Sequence, residues 1–376
     1  MNRPIPYGRQ CIDEDDIQAV VEVLRSDWIT TGPAVDAFER AVAGFVGAEY
    51  GTAVSSGTAA LHTAVYASGI KPGDEVIVPA MTFAATANAV VFQGATAVFC
   101  DVDAETLLIA PDLVEAKVGP RTKAIIAVDY AGQPCDYDAL REIADRNKLV
   151  LIADACHSLG ATYRGRKVGT LADLTVFSFH PVKHITTGEG GMVVTNNPQY
   201  HRRMAMFRNH GITTDHRQRA ERGSWFYEMV DLGYNYRITD FQCALGMSQL
   251  KKLPGWIKRR QGIASRYDRA FNSLGPVEPL AVTSNVSHVY HLYVIRLRDI
   301  ERDKVFNSLR EAGIGANVHY IPVHLHPFYR ERFGTKEGLC PAAEAAYEQI
   351  LSLPMFPAMA DKDVDTVISA VKEAVS

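Results

Sequence analysis

Residues 75–100 read EVIVPAMTFAATANAVVFQGATAVFC, and their order of residue types sets the architecture. Glu75 to Pro79 is rich in β-branched residues and stops at a proline, so it reads as a short buried strand. Phe83 to Gln93 is alanine-rich and ends at Gly94, the signature of a helix and its stop. Thr96 to Val102 is again Val- and Phe-rich and reads as a second strand. Pro79, Asn88, Gln93 and Gly94 interrupt the apolar run, which therefore falls short of the ~20 uninterrupted apolar residues of a membrane span.

The same alternation extends on both sides. Gly51–Val54, Lys123–Asp129, Leu149–Asp154, Leu174–Phe179 and Met192–Thr195 read as strands, and Thr58–Ser68, Asp112–Val118 and Asp138–Asn147 as helices. Apolar strands separated by helices imply an α/β fold with a mostly parallel seven-stranded sheet covered on both faces. Ligands of such sheets sit beyond the carboxyl ends of the strands, where Ser55, Asp154 and Ser178 fall. After Lys251 the pattern changes to a helix (Leu253–Leu274), a strand (His288–Leu297), a helix (Arg302–Ala312), a strand (Ala316–Pro322) and helices at Pro341–Ile350 and Asp361–Val375. This predicts a large domain over 1–250 and a smaller α+β domain over 251–376, with residues 1–25 packing on the smaller one.

Composition narrows the function. The 376 residues are 47% hydrophobic and 22% charged with a formal net charge of −4, which gives no electrostatic footprint for nucleic acid or an anionic membrane. The cluster Lys251, Lys252, Lys258, Arg259 and Arg260 reads as a solvated helix face. Residues 1–16 are polar and carry no signal-peptide core. The six cysteines are scattered without a CxxC pair, which suggests reduced thiols in a cytoplasmic protein and neither a zinc site nor a disulfide framework.

One residue carries the chemistry. Lys183 follows Phe177-Ser178-Phe179-His180-Pro181-Val182 and precedes a Thr/Gly turn. An amine buried there loses its proton below the usual ~10.4 and becomes a nucleophile toward carbonyls. Upstream, Asp154 ends an apolar strand. An amine that can form an imine, preceded by an acid at a strand end, is what pyridoxal phosphate needs: the carboxylate keeps the pyridine nitrogen protonated, and the ring becomes an electron sink.

Other segments fit the same ligand. Ser56-Gly57-Thr58 follows a strand and opens a helix whose free N–H groups favour a phosphate, with Ser178 as a further hydroxyl donor. Taken alone, that turn also fits an ordinary capped helix. Asp154 alone also fits a helix cap. His157 is placed to reach the cofactor's phenolic oxygen, and equally reads as a satisfied surface histidine. Phe83 can lie flat on the pyridine ring or simply pack in the core. His319, His324 and His326 lack acidic or cysteine partners for a metal, and read as polar loop residues lining a substrate mouth.

Assembled, these residues resemble the DegT/DnrJ/EryC1/StrS sugar aminotransferases, enzymes of pyridoxal-phosphate fold type I. The resemblance runs almost end to end. It takes in Ile29-Thr30-Thr31-Gly32-Pro33, the Ser56–Thr58 turn, Thr82–Ala89, Asp154–His157, the Lys183 segment, Phe207–Gly211 and Leu232–Asp240. Ser178–Lys183, Asn317–His324 and Leu351–Pro354 look most like the UDP-4-amino-4,6-dideoxy-N-acetyl-β-L-altrosamine transaminases of pseudaminic acid synthesis. His157 stands where many relatives carry Gln. Some relatives replace the lysine with His and act as deoxygenases, which Lys183 argues against; together with Asp154 it also argues against a non-catalytic binding protein.

The resemblance implies that Lys183 bonds the cofactor, Asp154 meets its ring nitrogen, and Ser56, Gly57, Thr58 and Ser178 hold its phosphate. It implies that Asn235, in a Gly-Tyr-Asn-Tyr-Arg segment that by composition alone is a turn, reaches the cofactor phosphate of a partner subunit in a homodimer with shared sites. Tyr7, Trp28, Ile29, Thr30, Asn317, Val318, His319 and Tyr320 are expected to line the sugar-nucleotide site. The expected reaction moves an amino group from glutamate, leaving 2-oxoglutarate, to C4 of a nucleotide-linked 4-keto-6-deoxy sugar.

Overall fold

The computed structural model describes residues 4–376. Its centre is a seven-stranded sheet built from β1 (Tyr50–Val54), β2 (Glu75–Pro79), β3 (Thr96–Cys100), β4 (Thr122–Val128), β5 (Val150–Asp154), β8 (Leu174–Ser178) and β9 (Gly191–Thr195) in the order β1-β9-β8-β5-β4-β2-β3. All neighbours run parallel except β9, which is antiparallel to both β1 and β8. The strands are buried almost throughout, as a parallel sheet covered by helices requires. A short ribbon, β6 (Thr162–Tyr163), β7 (Arg166–Lys167) and β11 (Val286–Ser287), lies outside it. A second sheet, β10 (Val277–Pro279), β12 (Tyr293–Leu297) and β13 (Ile350–Leu353), is antiparallel.

The helices before the long crossover are α1 (Glu14–Leu24), α2 (Pro33–Val46), α3 (Gly57–Ala67), α4 (Ala84–Phe92), α5 (Pro111–Lys117), α6 (Tyr137–Asn147), α7 (Pro198–Phe207) and α8 (His216–Glu221). Then comes α9 (Asp240–Phe271), followed by α10 (Arg302–Glu311), α11 (Pro327–Phe333), α12 (Pro341–Gln349) and α13 (Asp361–Ala374). Two hydrophobic clusters result. The larger wraps the seven-stranded sheet, and the smaller joins β10, β12 and β13 to α10, α13 and the end of α9.

Four expectations need correction. The helix expected at Leu253 begins at Asp240, where Thr239 caps it reciprocally with Gln242. It runs through Pro254, whose ring sits on the exposed face. The strand expected over His288–Leu297 forms only from Tyr293, because Val289 and Leu292 donate their N–H groups to Gly132 and Ala131. The segment Ala316–Pro322 is not a strand: only Asn317 pairs, with Ser352, and the chain then leaves the sheet. The basic cluster is not uniformly solvated either. Arg260 is 1% exposed and donates to the carbonyls of Tyr290, His291 and Met355, while Lys252 pairs with Asp13 and Asp16.

No helix among the described residues is long and apolar enough to cross a membrane.

Candidate active site

A cavity of about 510 Å³ opens at the carboxyl ends of the parallel strands. Its wall includes Ser56, Gly57 and Thr58 after β1, Thr82 and Phe83 after β2, Asp154 ending β5, and Ser178 ending β8, with Lys183 in the turn that follows. Tyr7, Asn317, Val318, His319 and Tyr320 close it from the other side.

The start of α3 is shaped for an anion. Ser56 is its N-cap, and the Ser56 hydroxyl oxygen accepts from the Ala59 N–H at 3.0 Å. A Cβ at Gly57 would stand 2.8 Å from the Ser178 Cβ and 2.9 Å from its Oγ, so only glycine brings the helix start against Ser178. One at Gly191, on β9, would lie 2.3 Å from the Ser56 carbonyl oxygen. The backbone N–H groups of the first turn, with the Thr58 and Ser178 hydroxyls nearby, form a cradle of phosphate size and sign.

Asp154 is held in orientation. One carboxylate oxygen accepts from the Thr86 hydroxyl at 2.7 Å and the other from the Cys156 N–H at 3.3 Å; Thr86 in turn is 2.8 Å from Thr82. Burial pushes the Lys183 amine below the usual lysine pKa, against the opposing influence of Cys156 and Asp154. The neutral, nucleophilic form of the amine is thereby favoured. Burial likewise takes His157 well below the ordinary histidine value, with Lys183, His319 and His184 adding to it. His319 is lowered to about 4 by burial and by Lys183. Burial raises Tyr7 and Tyr320, so both keep their hydroxyl protons. Phe83, 59% exposed, stands at the rim with its ring 5.8 Å from that of Tyr320.

Some expected residues are elsewhere in the chain. Trp28 borders a separate groove between α1 and α9, Ile29 is exposed, and Thr30 bridges to Thr239. Asn235 is exposed, bridged to Asn209 and outside the cavity. Ser55 donates its N–H to the Tyr236 carbonyl and does not line the cavity. His324 is not a mouth residue: it is fully buried and 2.7 Å from Glu344. The structure adds Thr86, Glu189 and His291 to the wall. Thr86 sits one helical turn beyond Thr82, a spacing that signals a shared face; His291 is brought in by the backbone bonds of residues 289 and 292 to the 131–132 turn, which leave no local sequence pattern.

Residues 10–372 match the DegT/DnrJ/EryC1/StrS aminotransferase family. The chain belongs to that family. It is 44% identical over 377 residues to the uncharacterized protein MJ1066 of Methanocaldococcus jannaschii, covering 99% of this chain and 98% of the relative. It is 43% identical over 381 residues to the spore coat polysaccharide biosynthesis protein SpsC of Bacillus subtilis, covering 100% and 98%. Among solved structures it is similar to Spr1654 of Streptococcus pneumoniae, described as a sugar aminotransferase, in its PMP form. That match has a TM-score of 0.94 and 35% identity over 99% of both chains. It is also similar to Helicobacter pylori PseC, an aminotransferase involved in the biosynthesis of pseudoaminic acid, with a TM-score of 0.93 and 33% identity over 99% of both chains.

The aminotransferase fold is thus that of the pyridoxal-phosphate enzymes of fold type I. Its cavity fits that cofactor on its own terms. The Gly57 cradle suits the phosphate, Asp154 a protonated ring nitrogen, and Lys183 an aldehyde carbon. His157 Nδ1, buried and without a partner among the described residues, suits an oxygen acceptor.

Proposed function

We propose that this aminotransferase uses pyridoxal 5′-phosphate to carry an amino group from glutamate to C4 of a nucleotide-linked 4-keto-6-deoxy sugar in the cytoplasm. The observation that carries it is the meeting of Lys183, Asp154 and the α3 start in one cavity at the sheet's carboxyl edge. When bound, pyridoxal phosphate supplies an aldehyde that captures amines and a ring that takes up negative charge. Asp154 holds the proton on the ring nitrogen. Ser56, Gly57, Thr58 and Ser178 bind the phosphate. Once the donor amine has displaced it, Lys183 Nζ would take the proton from the donor's α-carbon and return it to the carbon two bonds away, across the nitrogen, and would run the reverse transfer on the sugar. Tyr7, Asn317, Val318 and His319 face the space left for the sugar.

The finer reading is that the acceptor is UDP-2-acetamido-2,6-dideoxy-β-L-arabino-hexos-4-ulose, as in pseudaminic acid synthesis; the likeness to PseC supports it. A second reading is another 4-keto-6-deoxyhexose nucleotide, of perosamine, bacillosamine or aminoarabinose type, favoured by the 43% identity to SpsC.

The working form in this proposal is a homodimer of two-domain chains (1–250 and 251–376), with Asn235 and the Trp28–Thr30 turn completing the partner's site. The exposure of both segments on the single chain, with Trp225, Met229 and Leu232 outward beside Asn235, supports it.

The test is to load purified protein with pyridoxal phosphate and follow a visible band that borohydride bleaches. Glutamate and a panel of UDP-, GDP- and dTDP-linked 4-keto sugars are then supplied. The expected outcome is 2-oxoglutarate and a 4-amino sugar, with the UDP-linked acetamido sugar preferred. Absence of the band, or no amino transfer to any 4-keto sugar, overturns the reading; preference for a GDP- or dTDP-linked sugar selects the second one.

A further inference from the structure

We infer that Tyr320 is a positioning residue. Its hydroxyl fixes which ring nitrogen of His157 carries the hydrogen, and so turns His157 into a hydrogen-bond donor aimed at the ring oxygen of the cofactor. This rests on the pyridoxal-phosphate reading of the cavity.

The geometry leaves His157 two arrangements. Its Nε2 is 3.2 Å from the Tyr320 hydroxyl, and its Nδ1 is buried with no partner among the described residues. Among the described residues the Tyr320 hydroxyl has no other hydrogen-bond partner. A neutral imidazole has one donor and one acceptor nitrogen. If Tyr320 donates to Nε2, the hydrogen sits on Nδ1, and only that N–H is left unsatisfied. If His157 donates from Nε2, the bare Nδ1 is left unsatisfied in a buried site and the tyrosine O–H, part-buried at the cavity wall, is left without a partner among the described residues. Each unmet buried group is costly, so the first arrangement wins. Its single unmet group is a donor, complementary to an anionic phenolic oxygen.

The surroundings hold this choice in place. The His291 ring lies 4.3 Å from that of His157, tilted by 40°, and restrains it from turning. Burial, and after it the nearby Lys183, His319 and His184, disfavour a second proton on the His157 ring. The Tyr320 ring lies 6.2 Å from the His157 ring at 27° and close to Phe83, and its backbone N–H approaches the Met81 sulfur, so the hydroxyl is held at one place. Tyr320 thus has a task toward the cofactor in addition to bordering the sugar site.

The test uses the full-length protein loaded with pyridoxal phosphate and without sugar, so that sugar contacts play no part. With 15N-labelled histidine, the His157 ring, assigned with His157→Ala, should show a protonated Nδ1 and a bare Nε2. A hydrogen on Nε2 overturns the inference. In Tyr320→Phe that preference should be lost. The pH midpoint of the visible band of the Lys183-linked cofactor should rise by on the order of half a unit, because a weaker donor at the ring oxygen leaves that oxygen better able to hold the neighbouring proton. In a His157→Ala background, Tyr320→Phe should add no further shift. An unchanged midpoint overturns the role of Tyr320 while the cofactor reading stands. Failure of the wild-type protein to form the band overturns both.

Discussion

The wall of the cavity draws Ser56, Asp154 and Ser178 from separate strand ends set in one buried core, whereas the arm from Gly211 to Asn235 turns its apolar residues outward. Trp225 is 84% exposed, Leu232 69% and Met229 66%. The arm is a loose hairpin, with Thr213 bonded to Glu228 and Val230 to Gly211, and it carries little beyond the short α8. In the wall, polar groups are held by strand ends set in apolar core. In the arm, apolar surface waits for a covering that one chain does not provide, as an assembly element would. In the proposal above, the first region answers for the chemistry and the second for completing a neighbour.

The largest effect should come from the wall. On the proposed reading, Lys183→Ala removes the group that bonds the cofactor and moves the proton. Turnover should vanish while circular dichroism and oligomer size stay unchanged. Residual transamination above the buffer rate would show that the wall does not carry the reaction.

Asp154→Asn should keep the fold and bind cofactor. A neutral amide cannot hold the ring nitrogen protonated, so kcat should fall by several kcal/mol in the barrier, about a thousandfold. A drop under about tenfold would make Asp154 structural and weaken the contrast.

Asn235→Ala should act across the interface and more mildly, lowering cofactor affinity by about tenfold through one lost hydrogen bond to a charged group. Mixed with Lys183→Ala chains, it should regain activity, since one site of each heterodimer then joins an intact Lys183 to an intact Asn235. No recovery in proven heterodimers would confine Asn235 to its own subunit.

Acid should act on the buried histidines in and behind the wall. His157, His184 and His291 are buried with pKa values well below the usual one, and burial takes His288 to about 3. In the unfolded chain these rings take up protons near pH 6.5, whereas the folded state does not. Their neutrality in the fold is thus compatible with full stability above that pH, and stability declines as pH falls below it, by up to about 1.4 kcal/mol per unit for each ring. A melting temperature unchanged between pH 7.5 and 5.5 would contradict this.

What the sequence made legible followed from strong local pattern. The strand–helix alternation over 51–197 is recovered nearly residue for residue, because each parallel strand is a short apolar run bounded by turn residues. The positions of Asp154, Ser178 and the Ser56–Thr58 turn in the wall follow from that register. Less local features escaped. The helix expected from Leu253 begins at Asp240, and Pro254, on the exposed side of α9, is accommodated within it. Ala316–Pro322 has strand-forming residues, but one pairing to Ser352 is all the backbone makes. Arg260 looked like surface charge because its carbonyl partners lie 30 residues and more along the chain.

The long helix α9 is shared property. Cys243, Leu250 and Leu253 are buried in the core around the seven-stranded sheet, and Ile263, Tyr267 and Phe271 in the core beside the three-stranded sheet. Between them Arg260 is tied to the backbone at Tyr290, His291 and Met355. Neither core keeps its complement of side chains if the helix frays at the other end. The two halves are therefore expected to melt together, as one calorimetric transition whose van't Hoff and measured enthalpies agree.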